Sequence, residues 1–106
     1  MSLRSVSLTA AAEQDIGEIA EYIALESPRS AERFEVELAA ATNRIREFPR
    51  MGHRRPELPS SVLVMRVSSR FRRYLIVYRL LDNGARGQIL RVLHGARDIS
   101  SELARG

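Results

Sequence analysis

The stretch from Arg70 to Asp98 constrains the fold more than any other part of the chain. It contains two strand-like runs separated by a turn signal. In the first, Tyr74, Ile76, Tyr78 and Leu80 share one face of a period-two pattern, and Arg73, Leu75, Val77 and Arg79 share the other. In the second, Ile89, Arg91 and Leu93 alternate with Gln88, Leu90, Val92 and His94. Apolar residues fall on both faces of both runs. A hairpin of this kind belongs in the middle of a sheet, with a layer of chain over each side. Asp82-Asn83-Gly84 supplies the turn between them, because Asn and Gly accept positive φ.

The covering layers are sought in the rest of the chain. Leu3 to Leu8 alternates loosely and predicts an edge strand. Thr9 is a suitable N-cap for a helix whose apolar stripe is Ala12, Ile16, Ile19, Ala20 and Ile23. On that reading Glu13, Asp15, Glu18 and Glu21 form its solvated face. Ser27-Pro28 ends the helix and begins another, since proline restricts its predecessor yet fits the first helical turn. The second helix places Ala31, Phe34, Leu38, Ala41, Ile45 and Phe48 in one stripe. So short a link predicts an antiparallel helix hairpin laid on the sheet. After a Pro- and Gly-punctuated loop, Val62 to Val67 predicts a further strand, which joins the central pair in an antiparallel meander. Asp98 to Arg105 predicts a short last helix or a loose tail near the other face of the sheet. The expectation is an α+β fold of order β-α-α-β-β-β(-α), in a single domain spanning residues 1–106.

Charge narrows the choice of partners. All 17 basic residues are arginine. Residues 1–49 hold five arginines against nine acids, and residues 50–98 hold eleven against three. The basic half suggests an acidic or polyanionic partner for the sheet side. There is no cysteine and no apolar run long enough to span a membrane, so the expectation is a protein of the cytoplasm.

Metal-ligand spacing, phosphate loops and nucleophile elbows are missing from the sequence, and neither a metal nor a cofactor is expected. His53 lies in a loop among arginines and reads as a solvated side chain. The constellation with chemical content is Arg66, Arg73, Arg79, Arg91, His94 and Arg97 on adjoining strands. Arginine forks hold phosphate and a histidine moves protons, so His94 and Arg73 are the candidate catalytic pair of a metal-free ribonuclease. The same residues could make a general nucleic-acid-binding surface.

The element order, the loop Pro49-Arg50-Met51-Gly52-His53, the run Tyr74-Leu75-Ile76-Val77-Tyr78 and the run from Arg91 to Asp98 together resemble the ParE/RelE superfamily of bacterial toxins. The similarity is greater to the ParE branch, the plasmid-stabilisation toxins. That resemblance implies the toxin of a type II toxin–antitoxin pair that binds DNA gyrase and is neutralised by a ParD-like antitoxin. RelE-like toxins are instead ribosome-dependent mRNA endonucleases. They tend to carry a strand arginine where this chain has Leu75, and a tyrosine soon after the position of His94, where this chain has Asp98 and Ile99. The resemblance therefore implies a binding poison rather than an enzyme. It implies gyrase contacts at Arg97, Asp98, Ile99 and Leu103, on a tail from Asp98 to Gly106 too sparsely apolar to be part of the core. It also implies that an acidic antitoxin segment folds on binding along the sheet edge and the helix hairpin, combining an amphipathic helix with strand pairing, its apolar side chains beside Ile16, Ile23, Phe34 and Leu38 and its charge meeting Arg73 and Arg79.

Overall fold

A computed structural model describes residues 2–105; Gly106, the end of the expected tail, lies outside them. The elements are β1 (Ser5–Leu8), α1 (Ala10–Glu26), α2 (Pro28–Glu47), β2 (Val62–Arg66), β3 (Tyr74–Leu81), β4 (Arg86–His94) and α3 (Ile99–Arg105). The four strands make one sheet in the order β1-β4-β3-β2. The last three pair antiparallel as expected, whereas β1 joins β4 in parallel, so the sheet is mixed.

Local chemistry accounts for these boundaries. Thr9 caps α1 by accepting from the Ala12 N–H, and Ser27 closes α1 and caps α2 by accepting from the Ser30 N–H. Asp82, Asn83 and Gly84 all take positive φ at the β3–β4 turn. The loop before β2 is held by Tyr78, whose hydroxyl donates to Pro49 O and accepts from the Gly52 N–H. A Cβ on Gly52 would stand 2.7 Å from that oxygen, which is why glycine occupies this place. His53 then exchanges both backbone bonds with Val64 and covers the free side of β2.

The sheet carries a core on each face. On one side α1 and α2 bury Phe34, Leu38, Ala41 and Ile45 against Met65, Ile76, Tyr78, Ile89 and Val92. On the other, Leu58 and Ile99 close over Val62, Val64, Leu75, Val77 and Leu93, with Leu90 and Leu103 at the rim. Two expectations about faces are corrected here. A bulge sets Val77 opposite Arg91 but Tyr78 opposite Ile89, leaving Leu90 as the extra residue. Ile89 and Val92 therefore share the helix-side core, while Leu93 goes to the other; strict alternation had put Ile89 with Leu93. Phe48, the last member of the α2 stripe, caps the helix and is exposed.

Candidate functional site

The site forms where β1 stops. Its pairing with β4 ends at Leu8–Ile89, the chain leaves the sheet at Thr9, and α1 then runs over the edge of β4 that β1 has vacated. Two α1-side groups satisfy part of that edge. The Thr9 hydroxyl donates to Leu90 O at 2.7 Å, and Asp15 Oδ2 accepts from the Val92 N–H at 3.0 Å. Beyond them lies a groove of about 500 Å³. Glu18, Ile19 and Tyr22 form its α1 wall, the β4 edge forms its floor, and Arg73, Tyr74, His94 and Arg97 surround its far end.

Asp15 does not belong to the solvated face of α1, and Arg91 does not belong to a cationic surface. Arg91 Nε and Nη2 reach the two Asp15 oxygens at 2.7 and 2.8 Å, a bidentate pair. Its Nη1 donates to Glu102 O at 2.8 Å and lies 3.6 Å from Glu102 Oε2. The three side chains are only 9–14% exposed. The hydrogen bond to Asp15 holds the guanidinium pKa above its ordinary value, against the opposing effect of burial. One arginine thus ties α1, β4 and α3 together, and Glu102 is held further by Arg97 at 3.2 Å. The sequence carried a signal for this that the charge pattern of α1 obscured. Asp15 lies three residues after Ala12 and four before Ile19, inside the apolar stripe, and Arg91 is the lone charge between Gly87 and His94. Two opposite charges set in two apolar faces belong together.

His94 faces the groove with a fixed tautomer. Its Nδ1 accepts from the Ala96 N–H at 3.1 Å, which places the neutral ring's proton on Nε2. The ring is a hydrogen-bond donor toward solvent, braced edge-on by Tyr74 at 5.5 Å. Acting as a base through Nδ1 would require breaking the bond that orients it. Arg73 lies in the turn before β3, not on the strand; its carbonyl accepts from the Gly95 N–H and its side chain is exposed. Arg79 is also exposed and donates from Nε to Gln88. His53 serves through its backbone, as described above.

The remaining expected residues divide by burial. Ile16 and Ile23 are half-buried against the helix-side core, while Phe34 and Leu38 lie fully within it, so their side chains form no open groove. At the C-terminal end the short last helix forms, and the alternative of a loose tail outside the core is corrected. Ile99 is 4% exposed in the second core, Leu103 packs against it, and Asp98 caps α3 by accepting from Ser101 N–H and Oγ–H. The two apolar residues four apart are enough to seat one short helix on the sheet because Leu75, Val77 and Leu93 offer it a floor. Only Arg97 and Asp98 of that set are exposed. Tyr22, which the sequence reading did not name, and Glu18, expected on the solvated face of α1, stand exposed on the groove wall.

Among the described residues, no group of three His, Cys, Asp or Glu could hold a metal ion, and no helix is long and apolar enough to cross a membrane. Compared with known families, residues 6–99 match the model of the ParE toxin of the type II toxin–antitoxin system parDE. Among solved structures, the chain is similar to the chromosomal ParDE toxin–antitoxin system from P. aeruginosa. The TM-score is 0.67 and the identity 22%, over 85% of this chain and 94% of that one, a likeness that speaks for the fold alone. No curated protein matches the chain.

Proposed function

The chain belongs to the ParE toxin family of type II toxin–antitoxin systems, and from that premise we propose that it inhibits DNA gyrase by binding and is neutralised by a cognate ParD-like antitoxin. The observation that carries the choice of a binding poison over an mRNA endonuclease is the state of the sheet face opposite the helices. Leu75, at the place where the nuclease pattern has an arginine, is buried there beneath Leu58 and Ile99. Metal-free cleavage needs a cation at the phosphate and a base at the 2′-hydroxyl. Here the cation's place is apolar core, and His94 presents an N–H.

Gyrase contact falls to the outer side of the C-terminal end. Arg97 and Asp98 are exposed there, and Ile99 and Leu103 act by holding α3 in position. The antitoxin reading rests on charge and on exposure. Arg73 and Arg79 offer cations to an acidic segment, Ile16 and Ile23 reach the rim of the helix layer, and Phe34 and Leu38 support that layer from beneath. Both partners place the protein in the cytoplasm.

Three assays separate the readings. Purified protein is expected to inhibit gyrase supercoiling and to leave mRNA intact on translating ribosomes. It should also show no salt-dependent binding to naked duplex comparable to its effect on gyrase. Codon-phased mRNA cleavage that disappears in His94→Ala would overturn the proposal in favour of the endonuclease.

A further inference from the structure

The groove between α1 and the end of β4 holds two backbone groups that the fold leaves unused. Along β4, Arg91 and Leu93 bond to β3, so Val92 and His94 turn their backbone groups outward into the groove. The Val92 N–H is taken by Asp15, and the His94 C=O accepts from the Arg97 N–H at 3.0 Å. Val92 C=O and the His94 N–H have no partner among the described residues. One acceptor and one donor, two residues apart, thus face the same way from the edge of the strand. Every nucleobase carries a donor and an acceptor side by side on its Watson–Crick edge, as adenine does with its exocyclic amine and the neighbouring ring nitrogen.

The walls supply the rest of a nucleotide's chemistry. A base held at this edge lies near the plane of the sheet and turns one face to α1, where Ile19 and the 69% exposed Tyr22 offer an apolar and aromatic surface. Glu18, on the same wall, presents a carboxylate suited to ribose hydroxyls. At the far end stand Arg73 and Arg97, both exposed, and the His94 Nε2–H. Arg73 has no acidic partner among the described residues, while Arg97 gives Nη1 to Glu102 and keeps the rest of its fork for an anion. Burial holds the Tyr74 pKa above its ordinary value, Tyr22 adds to the rise and Arg73 opposes it, so both tyrosines and the guanidinium converge on this end. A volume of about 500 Å³ lies within the range of small-ligand sites.

We propose that the groove binds a nucleoside 5′-monophosphate, its base edge on Val92 C=O and the His94 N–H and its phosphate on Arg73, Arg97 and the His94 Nε2–H. The backbone pair accepts an unpaired base and rejects one in a duplex, whose edge is already occupied. It does not choose among the four bases, since each offers an adjacent donor and acceptor. Glu18 sets the polarity of the ligand, because its charge repels the phosphate toward the arginine end and leaves the sugar beside α1. The site requires neither gyrase nor an antitoxin, so its failure and theirs are separate outcomes.

The test titrates the free chain with AMP, GMP, CMP and UMP, followed by calorimetry and by backbone amide NMR. All four are expected to bind within about tenfold of one another and to shift the His94 amide. N,N-dimethyl AMP, whose exocyclic nitrogen carries no hydrogen for Val92 C=O, should bind about tenfold more weakly than AMP. Arg73→Ala, at an exposed position, should weaken AMP about tenfold and leave adenosine unchanged. Inorganic phosphate that displaces AMP at equal concentration, dimethylation without effect, shifts confined to other surfaces, or no saturation at roughly 1 mM nucleotide would each overturn the site. A short single-stranded RNA that binds more than about tenfold tighter than AMP overturns the mononucleotide as its ligand.

Discussion

Replacing Arg91 by methionine isolates the charge that ties α1, β4 and α3 together. The substitution keeps much of the aliphatic stem and removes a bidentate bond to Asp15 and a bond to Glu102 O. What remains is a carboxylate on Asp15 with 9% of its side chain exposed and one backbone donor, Val92 N–H. Glu102 keeps Arg97 at 3.2 Å, so the loss is concentrated on Asp15. Stranding one member of a buried pair costs about 3–5 kcal/mol, and the retained partners favour the lower end. At roughly 3 kcal/mol, and about 4–8 °C per kcal/mol for a domain near 100 residues, Tm should fall by about 12–24 °C. The second half of the test adds Asp15→Asn, whose amide oxygen still accepts from Val92 N–H while no charge is left unpaired. The double variant should be more stable than Arg91→Met alone, a coupling that urea titrations of the four proteins would measure directly. A loss below about 1 kcal/mol in the single variant, or simple additivity in the double, would refute the view that the buried charge is what makes Arg91 indispensable.

Gly52→Ala puts a methyl 2.7 Å from the Tyr78 hydroxyl and should cost about 1–3 kcal/mol in denaturant titrations, with faster exchange of the His53 and Val64 amides. Ending the chain after Arg97 removes Ile99, Leu103 and Glu102 together; the loss of Ile99 alone is worth about 2–5 kcal/mol, so circular dichroism and thermal melts should show a severely destabilised or unfolded protein. Burial raises the Tyr78 pKa above its ordinary value of 10.0, against the Gly52 hydrogen bond that lowers it. The unfolded chain therefore loses that proton first, and the stabilisation is intact below pH 10 and is lost as pH rises through the folded-state value. Melts from pH 9 to 11.5 should fall more steeply for the native chain than for Tyr78→Phe.

Most of the architecture was legible because it depends on patterns repeated over many residues. The α2 stripe, the Ser27-Pro28 boundary and the Asp82-Asn83-Gly84 turn each rest on a local rule that tertiary packing did not override. The apolar faces of β3 correctly called for a layer on each side of the sheet. The failures share a physical cause, which is that single contacts between distant segments leave little local trace. The bulge at Leu90 reversed the faces downstream of it, and nothing in Gln88-Ile89-Leu90-Arg91 announces an extra residue. Asp15 looked like one acid among several until Arg91, 76 positions away, was placed against it. Ile99 and Leu103 are too few to suggest a core segment in isolation, and their burial follows from the apolar floor supplied by β3 and β4. The groove was invisible for the same reason, since α1, the β3 turn and the end of β4 build it jointly.

The parallel pairing of β1 with β4 also sets a timetable. Ser5 meets Arg86, 81 positions later, and the intervening chain contains both long helices and two of the strands. Contacts so distant in sequence form late and slow the whole reaction. During synthesis, which proceeds from the N-terminus, the first strand must wait unpaired until β4 has been made. The β4 edge on which α1 closes does not exist before then, and α3, which seals the second core, emerges later still. A growing chain of this design has neither its completed sheet nor its second core until β4 and α3 have been made.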